Sequence, residues 1–268
     1  MGRPRLSPLG DRAILARFDT EAEARDWAAA VRAERMAGVV DLVLAYRSAA
    51  VHLDPDAADL DETEGRLRSI QLQTTSAEAG RLIVLPVLYD GPDLAAVARR
   101  LGLTEAEVVA QHSTPEYDVF AIGFLPGFPY AGYLPGAIAG LPRLESPRLA
   151  VPAGSVAIAG RQTGVYPSES PGGWHLLGRT PYRVVDLALG HFPIRAGDRL
   201  RFEPIDPGTF GARLGDLLEP DPSRTGPSVA EDGRTRVHDR TRNGGKLPVV
   251  ADPRRGSRGP FEVSVGMA

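Results

Sequence analysis

The amino-terminal part of the chain alternates between short apolar runs and longer amphipathic runs. The apolar run Ala13–Phe18 predicts a strand, and Thr20 with Glu23 forms a capping box in front of a helical pattern that ends at Gly38. The next segments predict two strands, a second helix and another strand: Val39–Leu44, Ala50–Leu53, Asp56–Leu72 and Arg81–Tyr89. This order of elements is that of a split βαβ, or ferredoxin-like, α+β unit.

Two short helices follow this unit. Asp93 is predicted to cap the first, Leu94–Leu101. Thr104 with Glu107 forms a second capping box and starts the second helix, which extends to His112. Two helices joined by a glycine turn could bind DNA. However, the second helix carries two glutamates and no arginine or lysine, so it would repel phosphates. We therefore favour a packing role for the pair.

The sequence after Tyr117 is strand-like and rich in glycine and proline, which predicts a closed or sandwiched all-β unit. The predicted strands are Val119–Phe124, Val156–Ala159, Trp174–Leu177, Tyr182–Leu187 and Leu200–Ile205. Beyond about Asp216 the periodicity stops and large apolar side chains become rare, which predicts a disordered tail. We thus expect an α+β domain at residues 1–88, a helical linker and β domain at 89–215, and a tail at 216–268.

The composition is that of a globular protein, and it excludes several kinds of chemistry. The 268 residues are 43% hydrophobic and 24% charged, and none is cysteine, which rules out disulfides, thiolate metal sites and thiol nucleophiles. A formal net charge of -3 argues against bulk attraction to nucleic acid or to an anionic membrane. No apolar run approaches the roughly 20 residues of a membrane span, so we expect a cytoplasmic protein.

Self-sufficient catalytic motifs are absent from the sequence. It contains no phosphate-binding loop, no Rossmann glycine motif, no H-E-x-x-H and no G-x-S-x-G. The five histidines show no metal-ligand spacing, so we expect no metal site in this chain.

Polar side chains are concentrated among the glycine- and proline-rich loops between Arg148 and Thr180. The glycines there would let a ligand approach the backbone closely. The members of this group are Arg148, Ser155, Arg161, Gln162, Thr163, Tyr166, Glu169, His175 and Arg179. Spacing alone favours the simpler interpretation, in which glycine and proline build the corners of the β unit and the polar groups cap turns.

Six motifs in this region resemble one known family. They are Gly123–Phe128, Ser146–Arg148, Val151–Ile158, Gln162–Pro167, Ser170–Trp174 and Gly178–Pro181. They are similar, in the same order, to motifs of the KipI family, whose members are also called the B subunit of 5-oxoprolinase (PxpB) or allophanate hydrolase subunit 1. The resemblance covers about Leu6–Ile205. Pro129 and Ala131 depart from it by interrupting an expected apolar stretch, and the tail has no counterpart in the family.

The resemblance implies a ferredoxin-like amino-terminal domain followed by a cyclophilin-like β-barrel. It also implies the B subunit of an ATP-dependent 5-oxoprolinase, inactive without the A and C subunits, with the C subunit as the direct partner and ATP, with Mg²⁺, as co-substrate. The lactam of 5-oxoproline is a stable amide, and phosphorylating its carbonyl oxygen creates a leaving group. Such a step needs charge stabilisation, which arginine forks provide.

On this resemblance we assign hypothetical roles to loop residues. Arg148 and Arg179 would hold an anionic group, and His175 and Glu169 would transfer protons. The substrate- or nucleotide-binding candidates are Gln162, Thr163, Tyr166, Ser155, Trp174 and Phe128. The structural alternatives are an Arg148 that binds backbone carbonyls and a His175 that is a plain strand residue.

Two other functions stay open at this point. Related chains resemble the carboxyltransferase component of a biotin-dependent urea carboxylase, and KipI itself inhibits a histidine kinase. The sequence carries no biotin-attachment motif, so any biotin must come from another chain. The sequence leaves the choice between 5-oxoproline and a urea derivative, and the oligomeric state, undecided.

Overall fold

A computed structural model describes residues 4–70 and 80–220, and antiparallel strands dominate it. The strands are β1 (Arg5–Pro8), β2 (Ala13–Arg17), β3 (Val39–Ala45), β4 (Ser48–Leu53), β5 (Leu82–Val87), β6 (Tyr117–Ile122), β7 (Pro129–Gly132), β8 (Arg148–Val151), β9 (Ser155–Ala159), β10 (Gln162–Val165), β11 (Ser170–Gly172), β12 (His175–Arg179) and β13 (Arg199–Pro204). The helices are α1 (Glu21–Glu34), α2 (Leu60–Ser69), α3 (Leu94–Leu101), α4 (Glu105–Ser113) and α5 (Pro207–Arg213). Within the described ranges, none of these helices has the length and apolarity needed to cross a membrane.

Both predicted capping boxes are confirmed. At the start of α1, the Thr20 side chain accepts a hydrogen bond from the Glu23 backbone amide, and the Glu23 carboxylate accepts one from the Thr20 backbone amide. Thr104 and Glu107 do the same at the start of α4. Local sequence therefore fixes where these two helices begin. Arg35 is the C-cap of α1 and has a left-handed backbone conformation. The helix therefore ends three residues before Gly38, the glycine that was predicted to close it.

The amino-terminal sheet contains the first three predicted strands, and the fourth pairs elsewhere. Strands β2, β4 and β3 pair antiparallel in that order, and α1 buries Trp27 in the cluster beneath them. The predicted fourth strand, β5, does not flank β2, because β1 occupies that edge and β5 pairs parallel with β13. The reason is packing: the buried side chains of β5 belong to the second core and not to the cluster around Trp27.

A second run of strands encloses that larger core. The pairing path runs β6–β7–β10–β9–β12, and β13 joins β6 to β5. A bridge between Leu88 and Arg179 then links the end of β5 to β12, so the path returns to its start. The largest buried side chains inside it are Ile83, Leu85, Tyr117, Ile138, Ile158, Leu177 and Phe202.

The predicted strand Tyr182–Leu187 is wrong. Local hydrogen bonds replace a strand ladder there: Thr180 Oγ1 accepts from the Tyr182 amide at 3.4 Å, and Asp186 Oδ1 accepts from the Leu189 amide at 3.0 Å. Such side-chain acceptors compete with sheet pairing. Conversely, strands β7, β8, β10 and β11 were not predicted because each has only three or four residues, and all but β8 contain glycine or proline.

Packing continues past the predicted start of the tail at residue 216. The Arg183 amide donates to the Asp216 carbonyl, and the Leu218 amide donates to the Arg183 carbonyl at 3.0 Å. Leu218 is 3% exposed and belongs to the larger core. The rest of the predicted tail, residues 221–268, lies outside the described residues, and the predicted division at residue 88 stays a prediction.

We expect a chain that ends at Asp216 to be less stable than one that ends at Pro220. Removing Leu218 deletes a buried leucine, which costs about 2–5 kcal/mol of unfolding free energy in proteins. We expect the chain that ends at Pro220 to match the full-length chain, because few large apolar side chains follow. Urea denaturation of the three chains measures this. Equal midpoints for the two shortened chains would contradict the prediction.

Candidate functional site

An edge-to-face aromatic cluster forms where the glycine- and proline-rich loops meet. The buried ring of Phe128 lies with its centroid 5.1 Å from Tyr130, 5.2 Å from Tyr166 and 5.5 Å from Trp174. Phe124 contacts this cluster and is 59% exposed. Because such aromatic pairs interlock, the cluster is a rigid base for the polar groups above it.

A half-buried ion pair fixes Arg148 beside this cluster. Arg148 Nη2 donates to Asp93 Oδ1 at 2.6 Å, and Asp93 Oδ2 accepts from the Leu176 amide at 2.7 Å. Asp93 occupies the N-cap position of α3, as predicted, but its side chain forms no capping bond to that helix. Its carboxylate instead binds the Arg148 guanidinium and the backbone of strand β12. Hydrogen bonds between charged groups are stronger than those between neutral groups.

One edge of the Arg148 guanidinium stays unsatisfied. Among residues 4–70 and 80–220, neither Arg148 Nη1 nor the hydroxyl of Ser170 has a hydrogen-bond partner, and both atoms are buried. Both residues lie on the two-stranded sheet of β8 and β11, where Gly172 stands opposite Arg148. A buried donor without a partner costs about 1–3 kcal/mol, so this edge is a place where a water, a ligand or a partner group can bind.

Two tyrosines and a second arginine adjoin this pair. Burial raises the pKa of Tyr130 and of Tyr166, and the Arg143 guanidinium opposes the rise at both phenols. A hydrogen bond from the Trp174 backbone and the positive charge of Arg148 also oppose the rise in the pKa of Tyr166. Both phenols stay protonated at neutral pH and can therefore donate hydrogen bonds.

Two further tyrosines extend this arrangement toward α1. Gln162 Nε2 donates to the Tyr46 hydroxyl, and burial, with the neighbouring phenols of Tyr130 and Tyr133, raises the pKa of Tyr46. The Tyr133 hydroxyl donates to Glu21 Oε1 at 3.0 Å. The Arg161 guanidinium lies 4.1 Å from the centre of the Tyr133 ring. We call these groups the tyrosine–arginine strip: Tyr46, Tyr130, Tyr133 and Tyr166 with Arg143, Arg148 and Arg161.

Five of the ten predicted site residues lie in the strip or directly against it. These are Arg148, Gln162, Tyr166, Trp174 and Phe128. The alternative of an Arg148 bound to backbone carbonyls is not what the structure has, because its bonding partner is a carboxylate.

The other five predicted residues face elsewhere. Thr163 points into the core toward His112, and the Ser155 hydroxyl donates to the Pro152 carbonyl. His175 is buried, with Nε2 2.9 Å from the Pro142 carbonyl oxygen. Arg179, at the opposite end of β12, pairs with Asp90 at 2.7 Å. Glu169 is exposed and has no hydrogen bond or ion pair within residues 4–70 and 80–220.

Sequence reasoning assigned no site role to Tyr46, Tyr130, Tyr133, Arg143 or Arg161. The sequence held one local signal, the place of Tyr46 in the short connection between two predicted strands. In the structure its φ is 52°, which is uncommon for a residue other than glycine. Among the described residues, no group of three or more histidine, aspartate or glutamate side chains is arranged to hold a metal ion. The chemistry of the strip is therefore that of arginine and phenol groups.

Comparisons with known proteins agree on one group of relatives. The family model of the carboxyltransferase domain, subdomain C and D, matches residues 4–191. The B subunit of 5-oxoprolinase from Escherichia coli O157:H7 is 40% identical over 217 residues, which cover 78% of this chain and 99% of that protein. The protein of the same name from Bacillus subtilis (strain 168) is 36% identical over 235 residues, covering 78% and 96%.

Solved structures show the same fold in longer chains. The crystal structure of TTHA0988 has a TM-score of 0.66 and 38% identity, and the match covers 73% of this chain but only 40% of that chain. The Kluyveromyces lactis urea carboxylase has a TM-score of 0.58 and 17% identity, covering 81% of this chain and 23% of the other. At that identity the likeness concerns the fold alone.

Proposed function

Because this chain belongs to the carboxyltransferase domain family, subdomain C and D, and is similar to 5-oxoprolinase B subunits along nearly their whole length, we propose that it is the B subunit of a 5-oxoprolinase. The proposed enzyme converts 5-oxo-L-proline to L-glutamate with hydrolysis of ATP. The observation that carries the proposal is the 40% identity over 99% of the Escherichia coli protein. A match over nearly the whole of that protein supports a shared role more strongly than a shared fold alone would.

The tyrosine–arginine strip supports the proposal chemically. The substrate carries a carboxylate, and the strip offers three guanidinium groups within one region. We propose that the unsatisfied edge of Arg148 binds an anionic oxygen of the substrate or nucleotide, while Asp93 fixes the other edge. Arg143 would add a second positive charge, as charge stabilisation requires.

The phenols of the strip would position the neutral part of the substrate. Burial keeps Tyr130 and Tyr166 protonated, so their hydroxyls can donate to a lactam carbonyl oxygen. The aromatic cluster beneath them would exclude water. When bound, ATP with Mg²⁺ supplies the phosphoryl group that activates the lactam. The predicted proton-transfer residues His175 and Glu169, and the predicted anion contact Arg179, face away from the strip, so any such role would lie outside it.

We also propose that the chain works in the cytoplasm with the A and C subunits of the enzyme, and that the C subunit is its direct partner. Two observations support dependence on partners. The sequence lacks a complete nucleotide-binding motif, and the TTHA0988 chain continues well beyond the part that this chain matches. The activity would then need residues from more than one chain.

For the fold, we propose that the predicted domains at residues 1–88 and 89–215 are a ferredoxin-like domain and a cyclophilin-like β-barrel, with strand β5 of the first segment joining the barrel. The order β2–β4–β3 supports the first, with β1 in the place of the fourth strand. The returning pairing path through β5, β13 and β12 supports the second.

A second candidate function is carboxyl transfer in a biotin-dependent urea carboxylase. It is favoured by the description of the family model and by the shared fold with the Kluyveromyces lactis protein. The two candidates require different substrates, so a purified complex of this chain with its natural partners separates them. We expect ATP hydrolysis to depend on 5-oxoproline and to yield glutamate. Stimulation by urea and bicarbonate, with none by 5-oxoproline, would overturn the proposal.

A further inference from the structure

A cleft of about 310 Å³ opens between α1 and the strands beside the tyrosine–arginine strip. Its lining residues are Thr20, Glu21, Ala22, Arg25, Leu44, Tyr46, Asp118, Val119, Phe120, Gly132, Tyr133 and Gly197. The volume is at the lower end of the range of about 300–1,000 Å³ for small-molecule sites. The cleft therefore suits a compact ligand.

Charges of both signs line this cleft and are loosely paired with each other. The Arg25 guanidinium lies 4.0 Å from Asp118 Oδ1 and 3.7 Å from Asp26 Oδ1, and it forms no hydrogen bond with the described residues. Glu21 accepts from Tyr133 through Oε1, while its Oε2 has no hydrogen-bond partner in the described ranges. The positive and negative groups thus keep free bonding capacity facing the same space.

The remaining lining is aromatic and aliphatic. Phe120 stacks on Tyr46 at 5.5 Å and packs against Tyr133 at 4.9 Å between ring centroids. Leu44 and Val119 add aliphatic surface. This half of the cleft fits a short apolar group, and it has no charged side chain among these residues to pair with a third charge on a ligand.

We propose that this cleft binds a small zwitterion of the α-amino acid class with an uncharged side chain. Arg25 would bind the carboxylate, and Glu21 with Asp118 would bind the ammonium group. Two carboxylates against one guanidinium disfavour a dianion, and a simple cation at these carboxylates would be repelled by the Arg25 guanidinium beside them. The proposal rests on the charges and shape of the cleft and not on the proposed reaction.

Three compounds of nearly equal shape test the pattern of charges on the full-length chain. L-proline carries both charges, cyclopentanecarboxylate lacks the amine, and pyrrolidine lacks the carboxylate. By isothermal titration we expect saturable binding of L-proline, with each analogue at least about tenfold weaker. No saturable binding of L-proline, or equal binding of an analogue, would overturn the proposal whatever happens to any variant.

Two variants locate the binding within the cleft. We expect Arg25→Gln and Glu21→Gln each to weaken L-proline binding at least about tenfold. Arg100→Gln and Glu105→Gln are the matched controls, since each makes the same charge change at an exposed helical position outside the cleft. Wild-type affinity in both cleft variants would place L-proline elsewhere and refute the assignment.

Discussion

Replacing Arg148 by alanine is expected to lower the turnover of 5-oxoproline by the reconstituted enzyme at least about 30-fold. The change removes a guanidinium that holds Asp93 on one edge and has an unsatisfied buried donor on the other. Truncating one partner of a buried, hydrogen-bonded charge pair costs about 2–5 kcal/mol, and the lower end of that range, which suits this half-buried pair, corresponds to that loss. Steady-state kinetics of the complex measure it.

A structural role and a binding role for Arg148 separate in a second variant. Arg148→Lys keeps a positive charge beside Asp93 but lacks the two-edged fork. If Arg148 binds the substrate, the lysine variant recovers the melting temperature of the wild type more fully than it recovers turnover. Arg99→Ala, at an exposed position of α3, is the control. Wild-type turnover in the alanine variant, with the complex intact, would remove Arg148 from the site.

The second large expected effect is a loss of stability in acid, caused by the buried histidine of the core. His112 is fully buried, with Nδ1 2.7 Å from the Tyr89 hydroxyl and Nε2 2.7 Å from Thr163 Oγ1. Because Thr163 Oγ1 donates to the Ala157 carbonyl, it accepts from Nε2–H, so Nδ1 accepts from Tyr89. Every hydrogen-bonding position of the neutral ring is thus used. Burial lowers the pKa of His112 to about 3.

We therefore expect acid to destabilise the protein through His112. Its folded pKa lies below the unfolded value of about 6.5, so only the unfolded chain takes up the proton between these values. The stability that the neutral ring contributes is complete above pH 6.5 and falls by about 1.4 kcal/mol per pH unit toward pH 3. Urea denaturation at several pH values measures this fall.

The matched variant for this prediction is His112→Gln, whose amide keeps a donor and an acceptor but does not titrate in this range. The carboxyl groups titrate alike in the wild type and the variant. The difference between their unfolding free energies therefore reports the titration of His112 alone. We expect that difference to shrink as the pH falls. Parallel curves for the two proteins would contradict the burial of a neutral ring.

Local sequence patterns predict which segments form helices and strands better than they predict which strands pair with each other. The capping boxes at Thr20 and Thr104 depend on residues three positions apart, and both are confirmed. The place of β5 depends on which core takes its apolar face, and the competing strand β1 is a four-residue segment with little apolar pattern. Pairing over long sequence separation is therefore the step that periodicity does not determine.

The candidate site shows the same division. Arg148, Tyr166 and Gln162 were predicted because the matched motifs contain them. Their partners come from distant segments: Asp93 lies 55 positions from Arg148, and Tyr46 lies 116 positions from Gln162. Along β10, Thr163 faces the core while its neighbour Gln162 faces the strip, since adjacent strand residues point to opposite sides.

The most direct measurement of the central claim is 5-oxoproline-dependent ATP hydrolysis, with glutamate as product, in a mixture of this chain and the A and C subunits. Each component is omitted in turn. The proposed function predicts full activity only when all three are present, and activity lost when this chain is left out. Full activity from this chain alone, or undiminished activity without it, would contradict its role as the B subunit of the enzyme.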